Sequence, residues 1–145
     1  MNCVVDSCIW ISAFQFGGTP FNALHLAFEE HRLSTCEQIR GEVRDVLTER
    51  FNWSDDRFDA VLAEFSSGLI QVETPGHLSG ICRDASDDVI IECAVLAGAD
   101  LIITGDKDLL AVRQYRGIRI VTPRQFLDEF AGRNEAEPYS SGFQT

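Results

Sequence analysis

The chain is poor in lysine, in paired cysteines and in unbroken apolar stretches, and each shortage excludes something. Its cations are eleven arginines and the single Lys107, set against 23 acids for a net charge of −11. Broad, non-specific nucleic-acid binding comes from Lys and Arg neutralising phosphates, so this composition argues against it. A nucleic-acid enzyme whose acids bind metal first stays open. No apolar run approaches the ~20 residues needed to span a bilayer. The start, M-N-C-V-V-D-S, has no basic segment of a secretion signal, so the expected location is the cytoplasm. The five cysteines (Cys3, Cys8, Cys36, Cys82, Cys93) form no C-x-x-C pair, and His25, His31 and His77 are scattered. A structural zinc site needs such ligands clustered. Cys3, Cys36 and Cys93 lie among apolar neighbours and read as small buried hydrophobes of a reducing compartment.

What is present is a globular composition, 45% hydrophobic in 145 residues, enough for one domain with a sizeable core. Short apolar runs alternate with helical stripes. N-C-V-V (2–5), L-S-T-C (33–36), L-I-Q-V (69–72), L-I-I-T (101–104) and I-R-I-V (118–121) read as strands. After N-C-V-V the apolar run I-W-I-S-A-F continues until F-G-G-T-P breaks it. Helical spacing recurs in Phe21–Glu30, in Ile39, Val43, Val46 and Leu47, and in Phe58, Val61, Leu62 and Phe65 after an N-cap at Ser54. It recurs again in Ile90, Ile91, Ala94 and Val95, closed by Gly98. Thr122 and Pro123 open a last helix. The alternation predicts an α/β fold with a parallel sheet, one domain over 1–131, and a loose tail over 132–145.

Four acids stand out against this framework: Asp6, Glu42, Asp87 and Asp106. Asp6 and Asp106 follow strands, at the sheet edge where α/β sites form. Glu42 and Asp87 are spaced in line with buried helical stripes. Taken singly, each has an ordinary explanation as a turn, cap or boundary residue. Together they are harder to dismiss. Two carboxylates ~4 Å apart repel by about 4 kcal/mol at an effective dielectric near 20, which a marginally stable domain cannot bear repeatedly. A hard divalent cation, Mg²⁺ or Mn²⁺, relieves that repulsion.

The stretches V-V-D-S, E-Q-I-R-G-E-V-R-D-V-L, R-D-A-S-D-D-V-I-I-E-C-A, L-I-I-T-G-D-K-D-L-L and I-V-T-P-R-Q-F-L, in that order, resemble a PIN domain. More narrowly, they resemble the VapC-like toxins of type II toxin–antitoxin pairs. The resemblance runs to Phe130. It implies a three-layer α/β/α sandwich on a parallel sheet, Mg²⁺- or Mn²⁺-dependent endoribonuclease activity, an RNA substrate, an antitoxin partner and a homodimer. It places the metal-binding and catalytic acids on Asp6, Glu42, Asp87 and Asp106, adds Asp108 as a metal ligand, and marks Asp84 as a lesser candidate. Ser7 stands where the family has a hydroxyl supporting the first acid. Cys8 stands where the family commonly has Asn, thought to orient the acids; a thiol is a weaker donor.

Three readings follow. In the first, the acids hold metal for phosphodiester hydrolysis, with Arg40, Arg44 and Arg83 as phosphate contacts. In the second, Asp6 is the nucleophile of a phosphotransferase, although the second acid usual two residues on is replaced by Cys8. In the third, a PIN fold with a weakened metal site serves as a binding module. For a dimer contact the sequence offers Trp10, Trp53, Phe14 and Phe16, with Trp10 better read as core.

Overall fold

The structure, a computed structural model, describes residues 1–131. The tail expected over 132–145 lies outside the described residues. In chain order the elements are β1 (Asn2–Val5), α1 (Ser7–Phe16), α2 (Gly18–Glu30), β2 (Arg32–Cys36), α3 (Glu37–Arg50), α4 (Asp55–Ala63) and β3 (Leu69–Val72). A 3-10 turn (Ala85–Asp87) leads into α5 (Asp88–Ala97), then β4 (Leu101–Ile103), α6 (Lys107–Val112), β5 (Gln114–Tyr115), β6 (Ile118–Val121) and α7 (Pro123–Phe130).

Six strands form one sheet in the order β3-β2-β1-β4-β6-β5. All neighbours are parallel except β5 and β6, so the parallel sheet expected from sequence gains a two-residue antiparallel border. β1 and β4 are central and their apolar residues are buried on both faces, which is why V-V and L-I-I carry no alternation. From β1 the chain moves outward to β2 and β3, then returns to β4 on the other side of β1. The crevice beyond the carboxyl ends of β1 and β4 is therefore a topological switch point, where α/β sheets bind ligands.

The run I-W-I-S-A-F is a helix, α1, which the sequence does not announce. Ser7, Ile9, Trp10 and Ala13 are buried and most of their neighbours half-buried, so the helix lacks the polar face that would reveal its period. Gly17 ends α1 at φ 75° and at the same time precedes the first residue of α2. Hence α2 begins at Gly18 rather than Phe21, with Pro20 tolerated in its first turn, where the N–H has no helical acceptor. The expected local signals elsewhere are present. Ser54 Oγ accepts from Arg57 N, Gly98 adopts a left-handed φ of 68°, and Thr122 and Gln125 form a reciprocal capping box with Pro123 at the first position.

Trp10 is in the core: its Nε1 donates to the Val5 carbonyl at 3.1 Å and its ring meets Phe65 edge-on at 5.2 Å. Trp53 is also buried and stacks on half-buried Phe14. Of the aromatics weighed for a dimer contact, Phe16 is the exposed one, at 73%. All five cysteines are free thiols; Cys82 joins Cys3, Cys36 and Cys93 in burial.

Candidate metal centre

Asp6 is the first residue past β1. Its N–H donates to the Ile103 carbonyl at 2.9 Å, which ties it to the end of β4. Its side chain caps α1: Oδ1 accepts from Ser7 N at 2.7 Å. Its Oδ2 accepts from the Thr104 hydroxyl at 2.7 Å. Only 6% exposed, Asp6 has its carboxyl raised above the usual range. Burial is the main cause, opposed by the hydrogen bonds from Thr104, Ser7 and Cys8 and reinforced by the charge of Glu42. A buried carboxylate engaged at both oxygens is poorly placed for attack on phosphorus, which disfavours the phosphotransferase reading.

Thr104 extends this link to the next acid. Its Oγ1 accepts from Asp106 N at 2.9 Å. Asp106 Oδ2 in turn accepts from Leu109 N at 3.0 Å and caps α6. Around Asp106 the acids crowd: Asp87, Asp106 and Asp108 each offer an oxygen within 4.8 Å of the others, and all three are half-buried. Asp87 is pushed up to about 7, by burial first and then by the charge of Asp106 and a hydrogen bond shared with it; Asp6 adds to the push. The two carboxylates thus share a proton, the sign of negative charge left uncompensated.

The sequence-derived acids therefore separate. Asp87, Asp106 and Asp108 meet as a trio. Asp6 adjoins them through Thr104 and the field it exerts on Asp87, but lies outside the 4.8 Å group. Glu42 also lies outside it and is exposed, so the expectation that it points with the buried stripe of α3 does not hold. Ile39, Val43 and Leu47 form that stripe. Glu42 stands at the stripe's margin, where its Oε1 accepts from Ser7 Oγ at 2.6 Å. Asp87 was likewise expected to continue the buried stripe of α5. The 3-10 turn shifts the frame by one residue, and Asp88 takes the inward position while Asp87 turns to Asp106. Asp84 caps that turn by accepting from Ser86 N and Ser86 Oγ, which accounts for it without any ligand.

Cys8, at the position of the family's Asn, sits with Sγ 3.6 Å from Asp6 Oδ2 and 4.0 Å from Thr104 Oγ1. Burial and the Asp6 charge push its thiol up to about 11, so it keeps its proton and donates weakly to Asp6. Of the arginines near the acids in sequence, Arg40 donates to Gln71 Oε1 at 3.0 Å, and Arg44 lies 3.7 Å from Asp59 and over the Phe58 ring. Arg83 reaches the site: its Nε is 3.4 Å from Asp108 Oδ1 while the side chain stays 88% exposed.

Sequence reasoning missed Thr104, Asp88 and Glu92. Glu92 is buried in α5, where Oε2 accepts from Gly76 N at 2.9 Å and Oε1 from Leu78 N at 3.1 Å. Asp88 Oδ1 accepts from Cys82 N at 2.8 Å. Together they staple the loop between β3 and the 3-10 turn, which carries Arg83 and delivers Asp87. A lone acid in the apolar run I-I-E-C-A was the available signal for Glu92. Thr104 gave none, because its partner is 98 positions away.

The donor set is carboxylate oxygen, which suits a hard cation and not zinc or copper. The raised carboxyl of Asp87 is the property that such a cation would relieve. The residues fit a divalent ion of the magnesium type.

Among the described residues, no helix is long and apolar enough to cross a membrane. The chain is 29% identical over 141 residues to an uncharacterized protein, MJ1680, of Methanocaldococcus jannaschii, covering 88% of this chain and 90% of that protein. Its structure is similar to a chain in the crystal structure of VapBC2 from Rickettsia felis bound to a DNA fragment from their promoter. The TM-score there is 0.58 at 13% identity, over 84% of this chain and 98% of that one, a likeness of fold. A family model described as a PIN domain matches residues 2–108, well over half of the sequence, and the chain belongs to that family.

Proposed function

We propose that the protein is a Mg²⁺- or Mn²⁺-dependent endoribonuclease and the toxin of a toxin–antitoxin pair. One observation carries the reading: Asp87, Asp106 and Asp108 converge at the switch point, and Asp87 holds a proton it would lose at neutral pH in water. PIN domains are generally nucleases, and this is where the sheet offers a site. Asp87, Asp106 and Asp108 would hold the ion, with Asp6 beside them and Glu42 reaching in from α3. When bound, a divalent ion supplies charge for the phosphate oxygens and makes water a better nucleophile. The chain's own residues do the rest. Ser7 holds Glu42 and Thr104 holds Asp6, fixing both before substrate arrives. Arg83, exposed and anchored only at Asp108, is placed to exchange that carboxylate for an RNA phosphate.

An antitoxin partner is supported by the fold shared with a chain of VapBC2. A homodimer and a cytoplasmic location belong to the same proposal; reduced, buried thiols fit the latter.

The test is cleavage of structured and single-stranded RNAs with Mg²⁺ or Mn²⁺, with EDTA, and with Asp6→Asn or Asp106→Asn. Cleavage that needs metal and is lost in both variants supports the proposal. Cleavage that survives EDTA and both substitutions removes it.

A second reading, a PIN-fold binding module, is favoured by the weak Cys8 contact to Asp6. It predicts no Mn²⁺ binding by calorimetry in a chain whose circular dichroism is that of a folded α/β protein.

A further inference from the structure

Helices α1, α2 and α4 enclose a cavity of about 300 Å³ remote from the acids. Its walls are aromatic: Phe14 stacks on Trp53 at 6.1 Å, Phe28 meets Phe65 edge-on at 4.9 Å, and Phe21 and Val61 complete the lining. Phe14, Phe21, Phe28 and Val61 are only half-buried. The Arg57 guanidinium lies over the Trp53 ring at 3.8 Å, which places a cation on an apolar rim. The volume is at the lower end of what ligand pockets offer, enough for one or two ring-sized groups.

We propose that residues 137–143 of the same chain, E-P-Y-S-S-G-F, occupy this groove, with Tyr139 and Phe143 as anchors. The position of α7 makes it possible. Arg124 donates to Thr19 Oγ1 at the start of α2, and Phe130 packs on His31 at 5.4 Å just past its end, so α7 runs alongside α2 in the same direction. The chain therefore leaves Ala131 beside the carboxyl end of α2, near Glu29, which lines the groove. Eight residues from Ala131 to Tyr139 reach up to ~26 Å, ample to pass around one helix of ~10 Å diameter. Along α2 the groove runs from Glu29 back to Phe21, about 12 Å at 1.5 Å per residue. Tyr139 and Phe143, four residues apart, span about 13 Å when extended. The residues between them are Ser, Ser and Gly, which add no bulk, and Pro138 biases Glu137 toward extended backbone. Glu137 then enters beside Arg57, matching charge to charge. While seated, the segment closes the groove to any other peptide.

The experiment uses the full chain with Phe143 replaced by benzoylphenylalanine, irradiated in dilute solution and mapped by mass spectrometry. The expected product is monomeric, with adducts on α2 or α4 around Phe28 and Val61. Val61→Asp should lower the yield of that adduct about tenfold, as loss of an apolar anchor site would, with circular dichroism unchanged. Adducts only between two copies would assign the groove to a second molecule and overturn the proposal. So would adducts elsewhere, no adduct, or an undiminished groove adduct in Val61→Asp. The readout is independent of whether the protein cleaves RNA.

Discussion

Thr104 joins Asp6 to Asp106 through one hydroxyl: it donates to Asp6 Oδ2 at 2.7 Å and accepts the Asp106 N–H at 2.9 Å. Fully buried, it has no water to replace it. Thr104→Val keeps the shape and deletes both bonds, leaving a carboxylate and an amide unsatisfied. The expected cost is about 1–3 kcal/mol in urea unfolding, with nuclease activity down about 10–100-fold. Thr104→Ser should recover most of both. A Val variant as stable and active as the parent would show that the hydroxyl is idle.

The acids make the metal-free protein pH-sensitive in a definite direction. Asp87 and Asp6 both have carboxyls raised in the folded state, so between their unfolded values and about 7 the folded chain binds more protons than the unfolded chain. Stability then falls as pH rises through that window. Thermal melts in EDTA should give a lower Tm at pH 8 than at pH 5.5. Saturating Mg²⁺ should raise Tm at pH 8 far more than at pH 5.5, because the ion competes with the shared proton. Asp87→Asn should flatten the EDTA profile while abolishing the magnesium effect. A profile that rises with pH in EDTA would contradict the carboxyl-sharing geometry.

Cys8 offers a direct comparison of donors. Its thiol lies 3.6 Å from Asp6 Oδ2, a long contact from a weak donor. Cys8→Asn supplies an amide N–H and should tighten Mn²⁺ binding in calorimetry; Cys8→Ala should weaken it. The parent should fall between them. If Asn and Ala weaken binding alike, the thiol is acting by size and not by its hydrogen.

Glu92 holds the loop that brings Asp87 to the site, through Gly76 N and Leu78 N. Glu92→Gln retains one acceptor oxygen and loses the charge; about 1–3 kcal/mol of stability should go with it. Limited proteolysis should then cut first between residues 74 and 80, and Mn²⁺ affinity should fall although Glu92 touches no ligand position. Unchanged protease resistance would mean the loop is fixed by other contacts.

Much of the fold was legible because its signals are local. Ser54, Gly98 and the Thr122–Pro123 pair mark helix ends by their own chemistry, and four of five strands begin and end within a residue of the apolar runs that named them. α1 was illegible because a helix buried nearly all round has no stripe. The site divides the same way. Asp6 and Asp106 were readable from their places after strands. Periodicity misled at Glu42 and Asp87: the first lies at the margin of its stripe, and the second sits in a 3-10 turn that breaks the α count one residue before Asp88. Thr104 depends on β1 lying next to β4, a pairing that no local spacing encodes.

The two borders of the sheet differ in what they offer a neighbouring molecule. At one side β5 is two residues long, flanked by Arg113 and Arg116 with φ of 70° and 50°, too short and too bent to guide another backbone. At the other side β3 runs four residues with Ile70 and Gln71 facing solvent. Intermolecular strand addition, in crowding or on partial unfolding, should start from β3 alone, and a lysine at position 70 would be the simplest safeguard for concentrated preparations.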